Sequence, residues 1–511
     1  MVEFKVLREA ELGFRETKMM IGRTRNAFSV LVSRGWWCSM HSTSSVVEMA
    51  AKEGELRVFM VAGEVSGDAI ASRLMSSLKK LSPLPPRFSG VGGSLMSKEG
   101  LQSLFPMEDI AVMGIWELLP HLYKIRTKLK MAIEAALLFQ PHVVVTVDAK
   151  GFSFHFLRQL RARCKQRGLA SALHFHYVAP SFWAWKGGEA RLKGLKEFVD
   201  HLFCILPFEE EVCRRNGLAA TFVGHPIVED ALDLNSALEG NSGIPSEQMV
   251  QGDDEGVRKK YEPSSGGKPL ASQDTCFRYS YVPYFCAFSM LIMAEGALIT
   301  LLPGSRLQEV SRMLPIFSKT VELLKDVVPD LMTVIPVAPN KHVENYVCRA
   351  TQTWPVSNSL VLGASSHLKY NTFKASRAAL CTSGTAALEL QLARLPCVIA
   401  YRAHFLTELF IRYKAKIPYI SLPNILLNSA VIPEVLFNAC TPKNLAKSLL
   451  EVIRMQDIRE KQMDAAAKVL QLLSPSERTA GLFGSQESRF RNYTPCMIAA
   501  STILHYIKQN Q

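Results

Sequence analysis

Apolar and polar residues alternate along this chain in two long series of strand-like and helix-like segments. In the first half, short apolar runs stand at 56–63 (LRVFMVAG), 87–93 (RFSGVGG), 141–151 (PHVVVTVDAKG), 172–180 (ALHFHYVAP), 201–208 (HLFCILPF) and 219–226 (AATFVGHP). Amphipathic periods of helical spacing fall between several of them, such as 153–168, which has a basic outer face and a glycine stop. A second series stands at 298–305, 331–339, 359–365, 377–384, 396–402 and 418–424. Near-continuous apolar strands separated by helices predict parallel sheets covered on both faces. Between the two series, residues 234–296 are rich in Gly, Ser, Asp, Glu and Lys and then carry an aromatic segment at 277–293. A stretch of that length without a pattern reads as a linker or insertion. The expected fold class is therefore α/β: two doubly wound, Rossmann-like domains with a central cleft between the carboxyl ends of their strands.

Composition narrows the function classes. The 511 residues suffice for two or three domains, and the 48% apolar and 21% charged content is that of a globular chain. The formal charge of +13 suits nucleic acid, an anionic membrane surface or phosphate-bearing ligands. No zinc-finger spacing, aromatic nucleic-acid signature or dense Lys/Arg run supports nucleic acid. The eleven cysteines include no Cys-x-x-Cys pair, which argues for reduced thiols. His174 and His176 alternate on one strand face, where histidines satisfied by neighbours are commoner than a metal site, and no metal is expected. No apolar run is long enough to predict a membrane-spanning helix. Residues 20–47 carry Arg23, Arg25, Arg34 and several serines but no acid, as a transit peptide would.

Ligands of open α/β sheets bind beyond the strand carboxyl ends, so those loops hold the candidate chemistry. The first, 63–74, offers glycines Gly63 and Gly67, the acid Glu64, and a helix start expected near Asp68. The third strand ends on Asp148, either a turn or helix cap or a general base. In the second series the run LLPGSR ends on Arg306, a planar donor fork for phosphates. At 381–396, Ser383, Gly384 and Thr385 open a helix whose amides can receive a diphosphate, and Glu389 lies one turn inward, within reach of ribose hydroxyls. The stretch 112–138 mixes large apolar side chains with Lys124, Arg126, Lys128 and Lys130, a pattern shared by core helices and helices lying on anionic lipid.

These loops, in this order, resemble the lipid-A-disaccharide synthase family of GT-B-fold glycosyltransferases. The matching motifs are AGEVSGD (62–68), GVGG (90–93), MEDIAVMGIWELL (107–119), VAPSFWAW (178–185), LPFE (206–209), VGHP (223–226), LLPGSRLQEV (301–310), TSGTAALE (382–389), SLPN (421–424) and IPE (432–434). The resemblance implies an inverting transfer that joins UDP-2,3-diacylglucosamine to 2,3-diacylglucosamine 1-phosphate, forms a β-1,6 disaccharide, releases UDP, and uses neither metal nor cofactor. It implies that Asp148 deprotonates the acceptor hydroxyl with Glu64 in support. Arg306, Ser383, Gly384, Thr385, Glu389 and Asn424 would hold UDP, and Ser66, Gly67, Asp68 and Trp183 would line the acceptor side. The implied organisation is a transit peptide or tail (1–54), an acceptor domain (55–226), a linker or insertion (227–297), a UDP-sugar domain (298–475) and a C-terminal tail (476–511) packing back on the first domain. It also implies a mitochondrial protein (alternatively plastid), peripheral on an inner membrane surface, with a homodimer as one option. The chain departs from the family pattern after Asp148, where Ala149-Lys150-Gly151-Phe152-Ser153 replaces a motif with a second acid, and at 433–437, where a glutamine is lost. A UDP-sugar epimerase or hydrolase of the same fold, or an inactive lipid-binding homologue, is the competing reading.

Overall fold

The computed structural model describes residues 54–110, 115–239, 297–363, 366–382, 384–403, 405–475 and 493–509. The transit-peptide expectation (all but its last residue, Gly54), most of the expected linker with its aromatic segment 277–293, and Ser383 lie outside the described residues. The described chain separates into two compact units. One holds residues up to 180, 189–223 and the C-terminal stretch from 491, and the other holds 181–188 and 224–490.

The first unit is built on a six-stranded sheet ordered β2-β1-β3-β4-β5-β6. Its strands are β1 (Leu56–Ala62), β2 (Pro86–Val91), β3 (Val143–Val147), β4 (Leu173–Tyr177), β5 (His201–Cys204) and β6 (Ala220–Phe222), all paired in parallel. Val58 through Ala62 and Val143 through Val147 are fully buried, as expected for strands covered on both faces. The central strand β1 enters α1 (Val65–Leu81), while α2 (Ile115–Phe139) leads to β3 and α3 (Lys150–Gln166) comes after it. The C-terminal helix α8 (Pro495–Gln509) packs back along α1. Tyr506 Oη on α8 meets His201 Nδ1 at 2.8 Å, tying the last helix to β5.

The second unit carries a sheet ordered β12-β11-β10-β7-β8-β9. Its strands are β7 (Leu298–Leu302), β8 (Met332–Val337), β9 (Ser357–Leu362), β10 (Ala378–Cys381), β11 (Cys397–Tyr401) and β12 (Glu434–Leu436). Its helices include α4 (Leu307–Leu324) after β7, α5 (Thr385–Leu392) after β10, and α6 (Phe405–Lys414) and α7 (Leu422–Leu427) between β11 and β12. The two parallel sheets establish the α/β class that the alternation predicts.

Two expectations need correction. The segment 418–424 is not the sixth strand of its series: Ser421 takes the N-cap position of α7 with its hydroxyl turned to Glu434, Pro423 sits in that helix's first turn, and the strand is the short run Glu434–Leu436. Proline lacks an N–H for a sheet ladder but costs nothing at a helix start. Helix α1 begins at Val65 rather than near Asp68, which moves Gly67 out of the turn and into the helix.

The histidine pair on β4 is internal. His174 Nδ1 lies 2.9 Å from the Phe198 carbonyl and His176 Nδ1 lies 2.7 Å from Thr146 Oγ1. Burial pulls their pKa values down to about 4 and about 3, so both rings are neutral at physiological pH.

Candidate functional site

Each sheet has one place where strand order reverses, and there the loops after two neighbouring strands splay apart to leave a crevice. In the first sheet that place lies between β1 and β3, whose last residues Ala62 and Val147 are register partners. Gly63 and Glu64 therefore stand beside Asp148 and Ala149. The approach is close: a Cβ on Gly63 would lie 2.7 Å from the Ala149 methyl, which only glycine avoids. Asp148 and Ala149 both take left-handed backbone conformations, with φ of 49° and 43°. Two adjacent non-glycine residues in that region are strained, and such strain persists only where surrounding contacts over-determine it. Here the Asp148 N–H donates to the Tyr177 carbonyl at 3.0 Å, and Ser153 Oγ donates to the Asp148 carbonyl at 2.8 Å. The tight reversal leaves the Asp148 carboxyl half-buried at the start of α3, whose amide dipoles favour an anion. Glu64 occupies the N-cap position of α1 without capping through its side chain, and Ser66 beside it is exposed.

Two other residues of this loop face inward. Asp68 is 3% exposed and accepts from the N–H groups of Gly93 (2.8 Å), Leu95 (3.0 Å) and Met96 (3.1 Å). It thereby caps the short helix Ser94–Lys98 across the fold. Gly67 packs under β3, where a Cβ would meet the Val147 carbonyl at 3.4 Å. These two belong to the support of the loop. Trp183 lies in the stretch 181–188, which is laced to α6 of the second unit by Lys186 N–H to Lys414 O and Lys416 N–H to Ala184 O, both 2.8 Å.

In the second sheet the order reverses between β7 and β10, with Leu302 and Cys381 in register. This sets the Pro303–Arg306 turn next to the turn before α5. Gly304 has φ +120°, and a Cβ there would lie 2.4 Å from the Glu309 carboxyl. Gly384, at φ +121°, is the N-cap of α5, and Gly384 and Thr385 are both exposed. The α5 amides thus emerge beside the N-cap of α4, which is the exposed Arg306. Glu389, one turn into α5, accepts from Lys369 Nζ at 2.8 Å, with both side chains mostly covered.

Glu309 and Lys369 were not singled out in the sequence. Glu309 hydrogen-bonds the Thr382 side chain and the Ser305 backbone and faces Arg306 and Arg312. Burial raises its pKa against those partners. It couples the two glycine turns, and its signal was legible, since it is the acid at the third position of a helix that Arg306 opens. Lys369 gave no such signal, because only the fold brings its helix, Ser366–Ala375, against α5.

Asn424, expected among the UDP-holding residues, is fully buried. Its Nδ2 donates to Ile432 O (2.8 Å) and Glu434 Oε1 (2.9 Å), and its Oδ1 accepts from the N–H groups of Val431 (3.1 Å) and Ile432 (2.9 Å). All the hydrogen bonds of its amide are used within the fold. Its place is to fix the segment 431–434 against α7.

Among the described residues no cluster of His, Cys, Asp and Glu suits a metal ion, and no helix is long and apolar enough to cross a membrane.

Among solved structures, UDP-GlcNAc 2-epimerase from Neisseria meningitidis bound to UDP-GlcNAc superposes with TM-score 0.51 at 11% identity, covering 82% of this chain and 99% of that one. The S. aureus MnaA–UDP co-structure gives TM-score 0.51 at 13% identity, covering 89% and 96%. At such identities these likenesses speak for the fold alone. Among curated sequences, the probable mitochondrial lipid-A-disaccharide synthase of Arabidopsis thaliana is 56% identical, over 93% of this chain and 96% of that protein. The lipid-A-disaccharide synthase of Rhodospirillum centenum is 37% identical over 83% of this chain and 93% of its own length. The family model described as lipid-A-disaccharide synthetase matches residues 58–248 and 285–483. With both switch-point loops inside those matched ranges, the chain belongs to the lipid-A-disaccharide synthase family of glycosyltransferases.

Proposed function

We propose that this chain joins UDP-2,3-diacylglucosamine to 2,3-diacylglucosamine 1-phosphate, giving the β-1,6 disaccharide 1-phosphate and UDP, in mitochondria. The single observation that carries the residue assignment is the strained Asp148–Ala149 reversal beside Gly63. A fold keeps such backbone where a side chain must be aimed.

In this reading the acceptor 6-hydroxyl gives its proton to the Asp148 carboxylate as its oxygen attacks the anomeric carbon. The bond from that carbon to the diphosphate oxygen breaks, and the electron pair leaves with UDP, inverting the centre. A positioned base of this kind contributes about 10²–10⁴-fold. Glu64, at the neighbouring loop, orients the acceptor, with Ser66 and Trp183 as further contacts. Arg306 and the amides opening α5, with Ser383, Gly384 and Thr385, stabilise charge on the leaving diphosphate. Glu389, fixed by Lys369, accepts from the ribose hydroxyls. Asn424 acts on the nucleotide through the backbone it holds at 431–434.

The mitochondrial assignment draws support from the Arabidopsis relative's name and from the acid-free Arg/Ser stretch at 20–47. Two acylated substrates also place the enzyme at a lipid surface, with α2 as one contact. Tyr123 is 84% exposed on that helix, whereas Leu129, Ile133 and Ala136 are buried, and Lys124 and Lys128 are drawn to Asp109 at 2.5 and 2.9 Å. The relatives' names do not favour an epimerase or hydrolase. A radiolabelled transfer assay in detergent with both lipid substrates tests the proposal. Disaccharide formed only when acceptor is present supports it, and UDP release from the donor alone overturns it.

A further inference from the structure

Helix α6 presents an apolar face that the second unit leaves uncovered. Leu409 is 65%, Phe410 46% and Tyr413 70% exposed. Single exposed apolar side chains are ordinary on any surface. These are contiguous: Leu409 and Tyr413 are one helical turn apart, and the Phe410 ring packs against Trp185 at 5.8 Å. The face is rimmed by cations. Lys186 Nζ reaches the Tyr413 carbonyl at 3.2 Å, Lys414 Nζ lies 4.9 Å from the Tyr413 ring, and Lys416 is exposed beside them. The one acid between 405 and 416, Glu408, is turned inward at 6% exposure and paired with Arg412 at 2.9 Å. The stretch 181–188 contributes no acid.

We infer that this face is a docking surface for a bilayer with anionic headgroups, distinct from α2. The inference rests on the lipid-surface part of the proposed function and names its site on the second unit. Charge complementarity selects the occupant. Lysines with apolar stems can reach phosphate oxygens while Leu409 and Phe410 enter the acyl boundary, and Trp185 and Tyr413 suit the headgroup level. By contrast, two of the cations of α2 are engaged by Asp109.

The test is flotation with vesicles of phosphatidylcholine alone or mixed with phosphatidylglycerol. Three variants accompany the unchanged protein: Leu409→Ser with Tyr413→Ser, Lys186→Gln with Lys414→Gln and Lys416→Gln, and Tyr123→Ser with Arg126→Gln. Retained UDP binding certifies the fold of each. The unchanged protein should float with the anionic vesicles and lose binding as salt rises. The lysine variant should bind them at least about tenfold more weakly, since each lysine near an anionic surface is typically worth about fivefold. The Leu409/Tyr413 variant should fall similarly on both vesicle types. Binding lost only in the Tyr123/Arg126 variant overturns this inference and leaves the lipid-surface reading on α2. No vesicle binding by the unchanged protein overturns both, while transfer in detergent still reports separately on the reaction. If sedimentation shows a dimer that the Leu409/Tyr413 substitutions dissociate, the face belongs to a second copy, and the inference fails.

Discussion

The two units solve one problem with opposite charges. In both, a six-stranded parallel sheet reverses its order beside its first strand, and the candidate site residues lie at the two loops that splay there. The first sheet ends those strands on acids, Glu64 and Asp148, and aims the second of them by strained non-glycine backbone. The second ends its strands on glycines at positive φ, an arginine and open helix amides. Acids suit a proton acceptor, and amides and arginine suit a phosphate. The interiors differ as well. Three buried histidines with depressed pKa values, His174, His176 and His201, sit in the first sheet, whereas the second unit has one among its described residues, His225. One layout can therefore suit two kinds of ligand, because loop residues rather than strand order set the chemistry offered at the crevice.

The largest expected effect isolates the acidic unit. Asp148→Ala should cut disaccharide formation by about 10²–10⁴-fold while UDP binding, measured by calorimetry, stays unchanged. Full transfer activity in that variant would remove the contrast between a base unit and a phosphate unit. Arg306→Ala should do the reverse, weakening UDP binding by about tenfold to a hundredfold, as losing a charge-assisted hydrogen bond implies. Equal UDP affinity in that variant would exclude Arg306 from the diphosphate contact.

Asn424→Ala sharpens the comparison through stability rather than chemistry. It strands the buried N–H of Ile432, at a cost of about 1–3 kcal/mol in unfolding free energy, while the Val431 N–H keeps the Ser429 carbonyl at 3.0 Å. A lowered melting temperature with a raised donor KM is expected. An unchanged melting temperature would mean that the Asn424 bonds do not stabilise the fold.

The smallest effect is on pH. The folded-state pKa values of His174 and His201 are about 4, below the 6.5 of the exposed ring, because burial penalises the charged form. The unfolded chain therefore binds more protons between those values, so stability falls as pH drops from about 6.5 towards 4. Hydrogen exchange at pH 5 against pH 7 should show β4 and β5 losing more protection than β7 and β10. Equal losses in the two sheets would mean the buried histidines do not set acid sensitivity.

Much of this was legible along the chain. Nine of the twelve strands fall within apolar runs visible in the sequence, since strands buried on both faces have no polar face to blur them, and the partly exposed β2 and β9 overlap their runs but start one and two residues earlier. The twelfth, Glu434–Leu436, opens on an acid and lies outside every apolar run, and the segment 418–424 stood in its place. At the candidate site, Gly63, Glu64, Asp148, Arg306, Gly384 and Thr385 lie on the switch-point loops, because a break from apolar strand to glycine and charge marks a strand end. Asp68 and Asn424 carry motif positions yet turn inward, since a carboxylate or amide looks the same in sequence whether it faces ligand or backbone.

By itself the sequence determined the elements, their class and the chemistry at each strand end, all of which depend on neighbours within a turn or a strand. The tertiary structure alone decided strand order, the pressing of Ala149 on Gly63, the pairing of Lys369 with Glu389, and which polar groups are spent on the fold. Those are contacts between segments far apart in the chain, and hydrophobic periodicity, being local, carries no record of which distant partner a side chain meets.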